Sequence, residues 1–188
     1  MAALEVSITN DLEKRIAEAF EVFDHSGDKT VDVREVGTII RSLGCCPSEA
    51  EVQEVIVRVE DQETSGSVHL AQFLPVVAQI ISEYKLQPAS PEELLKAFQT
   101  LDKENKGYLD REFLTKAMME EGEPFTQEEI DEMMAVAVDP VNGTIPYEFY
   151  INQIMINIQP NIYSLIPKVE EVQKRKLGEG LIESDLMK

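Results

Sequence analysis

Asp24, Ser26, Asp28, Thr30, Asp32 and Glu35 carry the clearest chemistry in this sequence. They fall at positions 1, 3, 5, 7, 9 and 12 of a 12-residue loop, the spacing at which side-chain oxygens, one backbone carbonyl (here that of Thr30) and a final bidentate Glu surround a hard cation. Calcium is the expected ion, with magnesium the alternative for the same oxygens. Lys29 stands at the sixth position, where the turn favours glycine. A side chain in the left-handed region costs roughly 1–2 kcal/mol, and with the added positive charge the affinity is expected to fall about tenfold or somewhat more. The competing expectation is a loop closed by its own hydrogen bonds, without metal.

No catalytic constellation competes with this loop. A phosphate-binding loop, an HExxH helix and a nucleophile elbow are all missing from the sequence, and Gly178 with Gly180 is too little for a nucleotide fingerprint. His25 and His69 read as solvated loop residues. Cys45 and Cys46 are adjacent, so they cannot form an ordinary bridge with each other, and no basic neighbour activates either thiol. The expectation is a protein that is not an enzyme.

The elements that would position the loop recur along the chain. Loop starts at Asp24, Asp61, Asp102 and Asp139 lie 37, 41 and 37 residues apart, which groups four helix-loop-helix units into two lobes. Leu12, Ile16, Phe20 and Phe23 mark one apolar helical face before the first loop, and Val36, Ile39, Ile40 and Leu43 mark another after it. Ser48 with Glu51, Ser90 with Glu93 and Thr126 with Glu129 read as capping boxes that open helices. Val31, Val68, Leu109 and Ile145 are expected to pair as short strands, two within each lobe. Their last interval is 36 residues, so the fourth loop has lost one residue ahead of its strand. The fold class is all-α: an N-terminal pair over 10–86, a linker at 87–91 where prolines disfavour helix, a C-terminal pair over 92–158 and a tail over 159–188.

The other three loops lack essential ligands. The second keeps Gly66 but has His69 at position 9 and Gln72 at position 12; the third has Lys106 among its ligands and Phe113 in place of the final Glu. The fourth begins Asp139-Pro140, is short by a residue and ends near Phe149. All three are expected to be empty, because the bidentate carboxylate dominates affinity.

Composition narrows the partners. There are 36 acidic residues against 17 basic ones, and the net charge of -19 disfavours nucleic acid and anionic membrane while favouring cations and basic amphipathic helices. No apolar run is long enough to span a bilayer, and the first ten residues lack a signal pattern, so the expectation is a soluble intracellular chain in a reducing compartment.

Over residues 10 to 158 the sequence resembles the EF-hand (calmodulin-like) superfamily, most strongly in the first loop with Phe20, Phe23 and Val31. The stretch "FEVFDHSGDKTVDVREVGTIIRSLGCCP" and the later "EEGEPFTQEE" are more narrowly similar to the EF-hand subunit family of the nexin-dynein regulatory complex of motile cilia. That resemblance implies a structural and regulatory adaptor in the axonemal cytoskeleton of a cilium or flagellum. Such an adaptor sits in a hetero-oligomeric assembly, gripping other subunits of the complex through amphipathic helices. Met118, Met119, Met133, Met134 and Met155 are as a group the candidate lining of a partner-binding groove, since thioethers adapt to apolar partners, while any single one at helical spacing is expected to be ordinary core. The alternative is a freely diffusing calcium sensor that recruits a kinase or phosphatase; three defective loops favour the adaptor. The tail has three open readings: packed on a lobe, extended to a neighbour, or loosely ordered.

Overall fold

A computed structural model describes residues 6–61, 65–156 and 161–167. They form two units: one contains the described residues up to Gln87 together with 161–167, and the other runs from Pro88 to residue 156. Among the described residues no helix is long and apolar enough to cross a membrane.

In the first unit, helix α1 (Asp11–Glu21) starts where the Asn10 side chain accepts the Glu13 N–H at 2.9 Å. That bond satisfies an amide left unpaired at every helix start. Strand β1 (Thr30–Asp32) and a 3-10 turn (Val33–Glu35) make up the second half of the first loop, and α2 (Val36–Ser42) follows. The second hand is α3 (Glu49–Val59), β2 (Ser67–His69) and α4 (Leu70–Ser82). β1 and β2 pair antiparallel with Val31 opposite Val68, as their positions in the two loops require. Helix periodicity brings Leu12, Ile16 and Phe20 of α1 onto Phe73, Val77 and Ile81 of α4 in one core. The Phe20 and Phe73 rings meet at 5.1 Å with a 50° tilt, a geometry that aromatic quadrupoles favour.

The second unit repeats the plan with α5 (Pro91–Leu101), β3 (Leu109–Asp110), α6 (Arg111–Glu120), α7 (Gln127–Ala137), β4 (Thr144–Ile145) and α8 (Tyr147–Ile156). Leu109 stands opposite Ile145. All three capping boxes are formed, with reciprocal hydrogen bonds at Ser48, Ser90 and Thr126. Phe98 stacks on Tyr147 at 5.7 Å, beside Leu114, Ile130 and Ile151. This is the all-α, two-lobed architecture read from the repeat.

Residues 161–167 lie within the stretch read as a tail, and they take the first of its three open readings by packing on the first unit. A 3-10 turn at Ile162–Leu165 places Ile162 and Tyr163 in that unit's core. Two bulky apolar side chains next to each other need burial, but with no helical period around them the sequence gives no sign of where. The tail's basic run Lys174, Arg175 and Lys176 lies outside the described residues.

Candidate functional site

The first loop is shaped by its own backbone. Gly27 (φ 71°) and Lys29 (φ 64°) both take the left-handed conformation. At the sixth position Lys29 does what Gly66 and Gly107 do in the second and third loops. The side-chain penalty at Lys29 is therefore already part of the folded loop.

Each of the loop's three aspartates is held by a nearby donor. Asp24 accepts the Gly27 N–H at 2.8 Å on one oxygen and the Lys29 N–H at 2.9 Å on the other. Asp28 accepts from the Thr30 N–H at 3.0 Å and the Thr30 hydroxyl at 2.5 Å, and the hydroxyl is the main reason its carboxyl lies below the usual range. Asp32 caps the following turn through the Arg34 N–H and takes a two-pronged grip from the guanidinium, 2.9 Å from Nε and 2.6 Å from Nη2. That side-chain pairing, reinforced by the backbone bond, lowers its carboxyl to about 2. Glu35 stands at the N-cap of α2 without a side-chain capping bond. Ser26 is exposed and Thr30 lies in β1.

The donor set fits a hard cation, because all six positions offer oxygen on a preformed turn. The carboxylates are not gathered, however. Among the described residues no three His, Cys, Asp or Glu side chains stand together as a metal-ready group. Both Asp32 oxygens accept from the Arg34 guanidinium, so a cation at this position competes with Arg34. Sequence reading missed this competitor, although Arg34 is only two residues from Asp32.

The remaining loops have other occupations. In the second, Glu60 accepts the Gly66 N–H at 2.9 Å and the Ser65 hydroxyl at 3.2 Å. His69 uses Nδ1 to accept the Ala71 N–H at 3.0 Å, capping α4. Residues 62–64 of this loop lie outside the description.

The third loop carries its own cation: the Lys106 ammonium lies 2.8 Å from Glu104 and 6.0 Å over the Tyr108 ring. Asp102, 4% exposed, accepts the Gly107 N–H at 2.8 Å and the Tyr147 hydroxyl at 3.1 Å. Burial works against its ionised form, but the amides of Lys106 and Gly107 and the Tyr147 hydroxyl outweigh that and lower its carboxyl. Burial, with the Asp102 charge behind it, raises the Tyr147 phenol. This bond ties the first residue of the third loop to the start of α8 across 45 positions, and nothing local in the sequence announces it.

In the fourth loop Asp139 accepts from Val141 N–H and Asn142 Nδ2, both at 2.8 Å. The missing residue is visible in the ladder. Asp61 N–H reaches the carbonyl of Ser67, but Asp139 N–H reaches that of Thr144, one residue closer, and the left-handed turn falls on Gly143.

Met118, Met119, Met133 and Met155 are half-buried against the second core. Met134 is 4% exposed and belongs to the core itself, which corrects its reading as groove lining: it shares the inward face of α7 with Ile130 and Ala137. An open depression of about 740 Å³ lies between α6 and α7, bordered by Arg111, Lys116, Met119, Glu120, Ile130 and Asp131.

Comparison with known proteins follows the same plan. The EF-hand domain pair family matches residues 13–78 and 91–150. Mouse dynein regulatory complex protein 8 is 47% identical over 147 residues, covering 78% of this chain and 90% of the mouse protein. The human protein of that name is 49% identical over 114 residues, 61% of this chain and 42% of its own length. Among solved structures, Mlc1p bound to IQ2 of Myo2p, a class V myosin, aligns with a TM-score of 0.60 and 27% identity, covering 79% of this chain and 99% of that one. The chain therefore belongs to the EF-hand domain pair family and, within it, to the family of dynein regulatory complex protein 8.

Proposed function

We propose that this chain is a non-catalytic, calmodulin-like subunit of the dynein regulatory complex in the axoneme of a cilium or flagellum, where it clasps helices of larger subunits and helps regulate dynein-driven motility. The observation that carries the reading is the 47% identity to the mouse relative across 90% of that protein's length. The likeness to Mlc1p, whose structure is bound to IQ2 of Myo2p, supports gripping a partner segment as the mode.

The second lobe suits constitutive attachment. Lys106 with Glu104, and Tyr147 with Asp102, brace its loops through interactions internal to the protein. The depression between α6 and α7, with Met119 on its border and Met118, Met133 and Met155 nearby, receives the apolar face of the partner helix. A net charge of -19 selects a helix with a basic opposite face. The first lobe holds a single weak calcium site made by Asp24, Ser26, Asp28, the Thr30 carbonyl, Asp32 and Glu35, with magnesium as the resting competitor.

The test is extraction of axonemes from ciliated cells carrying a tagged copy. Retention after detergent and release only by high salt is expected for a subunit; release by detergent alone refutes it and favours the freely diffusing sensor. Calorimetric calcium titration in physiological magnesium, beside Glu35→Gln, tests the metal site. One weak site lost in the variant is expected, and no heat in either protein removes the site.

A further inference from the structure

We propose that residues 161–167 are a built-in occupant of the first lobe's apolar face, so that this lobe accepts a partner helix only when the segment is displaced, while among the described residues the depression between α6 and α7 of the second lobe stands open. The proposal rests on the helix-gripping reading above and adds its regulation.

Ile162 and Tyr163 are 3% and 6% exposed, inside the core formed by α1, α2, α3 and α4, and Ile166 packs on its edge. The 3-10 turn touches both α1 and α4, the first and last helices of the lobe. Tyr163 stacks on Tyr84 at 6.1 Å, and its hydroxyl donates to the Lys85 carbonyl at 2.6 Å. The same hydroxyl lies 3.5 Å from the Cys45 sulfur, whose thiol is pushed up by burial and so stays protonated.

One side chain thus joins the segment just after α4 to the connector between α2 and α3. That connector is also tied to the same segment by the Cys46 N–H, which donates to the Leu86 carbonyl at 2.8 Å. A hand that opens must swing its second helix away from its first, so the Tyr163 bridge resists opening as well as covering the apolar face. Two buried side chains are enough to suppress competing occupancy roughly a hundredfold or more.

The experiment uses the full chain and a synthetic leucine-lysine amphipathic peptide of about five helical turns, titrated calorimetrically. The wild type is expected to show one strong peptide site and a second at least about a hundredfold weaker. Ile162→Ala with Tyr163→Ala is expected to show two comparable sites. Tyr163→Phe keeps the ring in the core and removes the hydroxyl bridge, and is expected to strengthen the weak site about fivefold. Two comparable sites in the wild type, or a weak site unchanged in both variants, overturns the occupant and leaves helix-gripping intact. Peptide binding to none of the three proteins overturns helix-gripping and this proposal with it.

Discussion

Replacing Lys29 with glycine separates two effects that the sequence alone runs together. A lysine at the glycine position of a cation loop invites the inference that its strain weakens binding. At φ 64° the residue already occupies the left-handed region, and the Asp24 carboxylate already accepts its N–H at 2.9 Å. The strain therefore enters the folding equilibrium and largely cancels from the binding one. Lys29→Gly should relieve roughly 1–2 kcal/mol of left-handed cost, less about 0.4–1 kcal/mol for the greater freedom of glycine in the unfolded chain. The net expectation is a gain of about 0.5–1 kcal/mol in first-lobe stability, read as a higher urea midpoint in chelator. Calcium affinity measured calorimetrically should rise by less than tenfold, through the lost positive charge alone. A rise of tenfold or more with an unchanged urea midpoint would refute the reasoning, because it would mean that the turn forms only when the ion binds.

Three further outcomes follow from the loops. Asp32, whose folded pKa of about 2 lies below its ordinary 3.8, contributes stability that is complete above about pH 4 and is lost as pH falls toward 2. Arg34→Ala should flatten that part of the acid denaturation curve, monitored by circular dichroism, and an unaltered slope would show that the ion pair has no share in it. Gln72→Glu restores the bidentate ligand at the twelfth position of the second loop, so calcium titration should detect an added weak site; the same stoichiometry as wild type would mean that His69, committed to capping α4, is the limiting defect. Tyr147→Phe removes the hydroxyl that Asp102 accepts and should lower the urea midpoint of the second lobe whether or not calcium is present, while a calcium-dependent change would contradict a metal-independent brace.

What could be read from the sequence was local or periodic. The Val31–Val68 and Leu109–Ile145 pairings follow from loop spacing, and each capping box lies within four residues, so its chemistry is visible in one short window. The shortened fourth loop was legible for the same reason, as a strand residue one place early. Arg34 was equally near, but its grip on Asp32 depends on the 3-10 turn that Asp32 caps. The Tyr147 bond to Asp102 and the Tyr163 bond to Lys85 join residues 45 and 78 positions apart, and a single sequence has no pattern that pairs them. Met134 went inward because α7 turns it onto the same face as Ile130, a point on which methionine's own chemistry is neutral.

The contracted turn at Gly143 also bears on how this chain can change. A lost ligand such as Gln72 can be regained by one substitution, but a loop lacking a residue places every later side chain out of phase with the first. Between Asp139 and Ile145 no exchange of side chains recreates the oxygen sphere; only an inserted residue would. The fourth loop's departure from the cation-binding pattern is thus a one-way step for point mutation, unlike that of the third loop, which keeps its full length and Gly107.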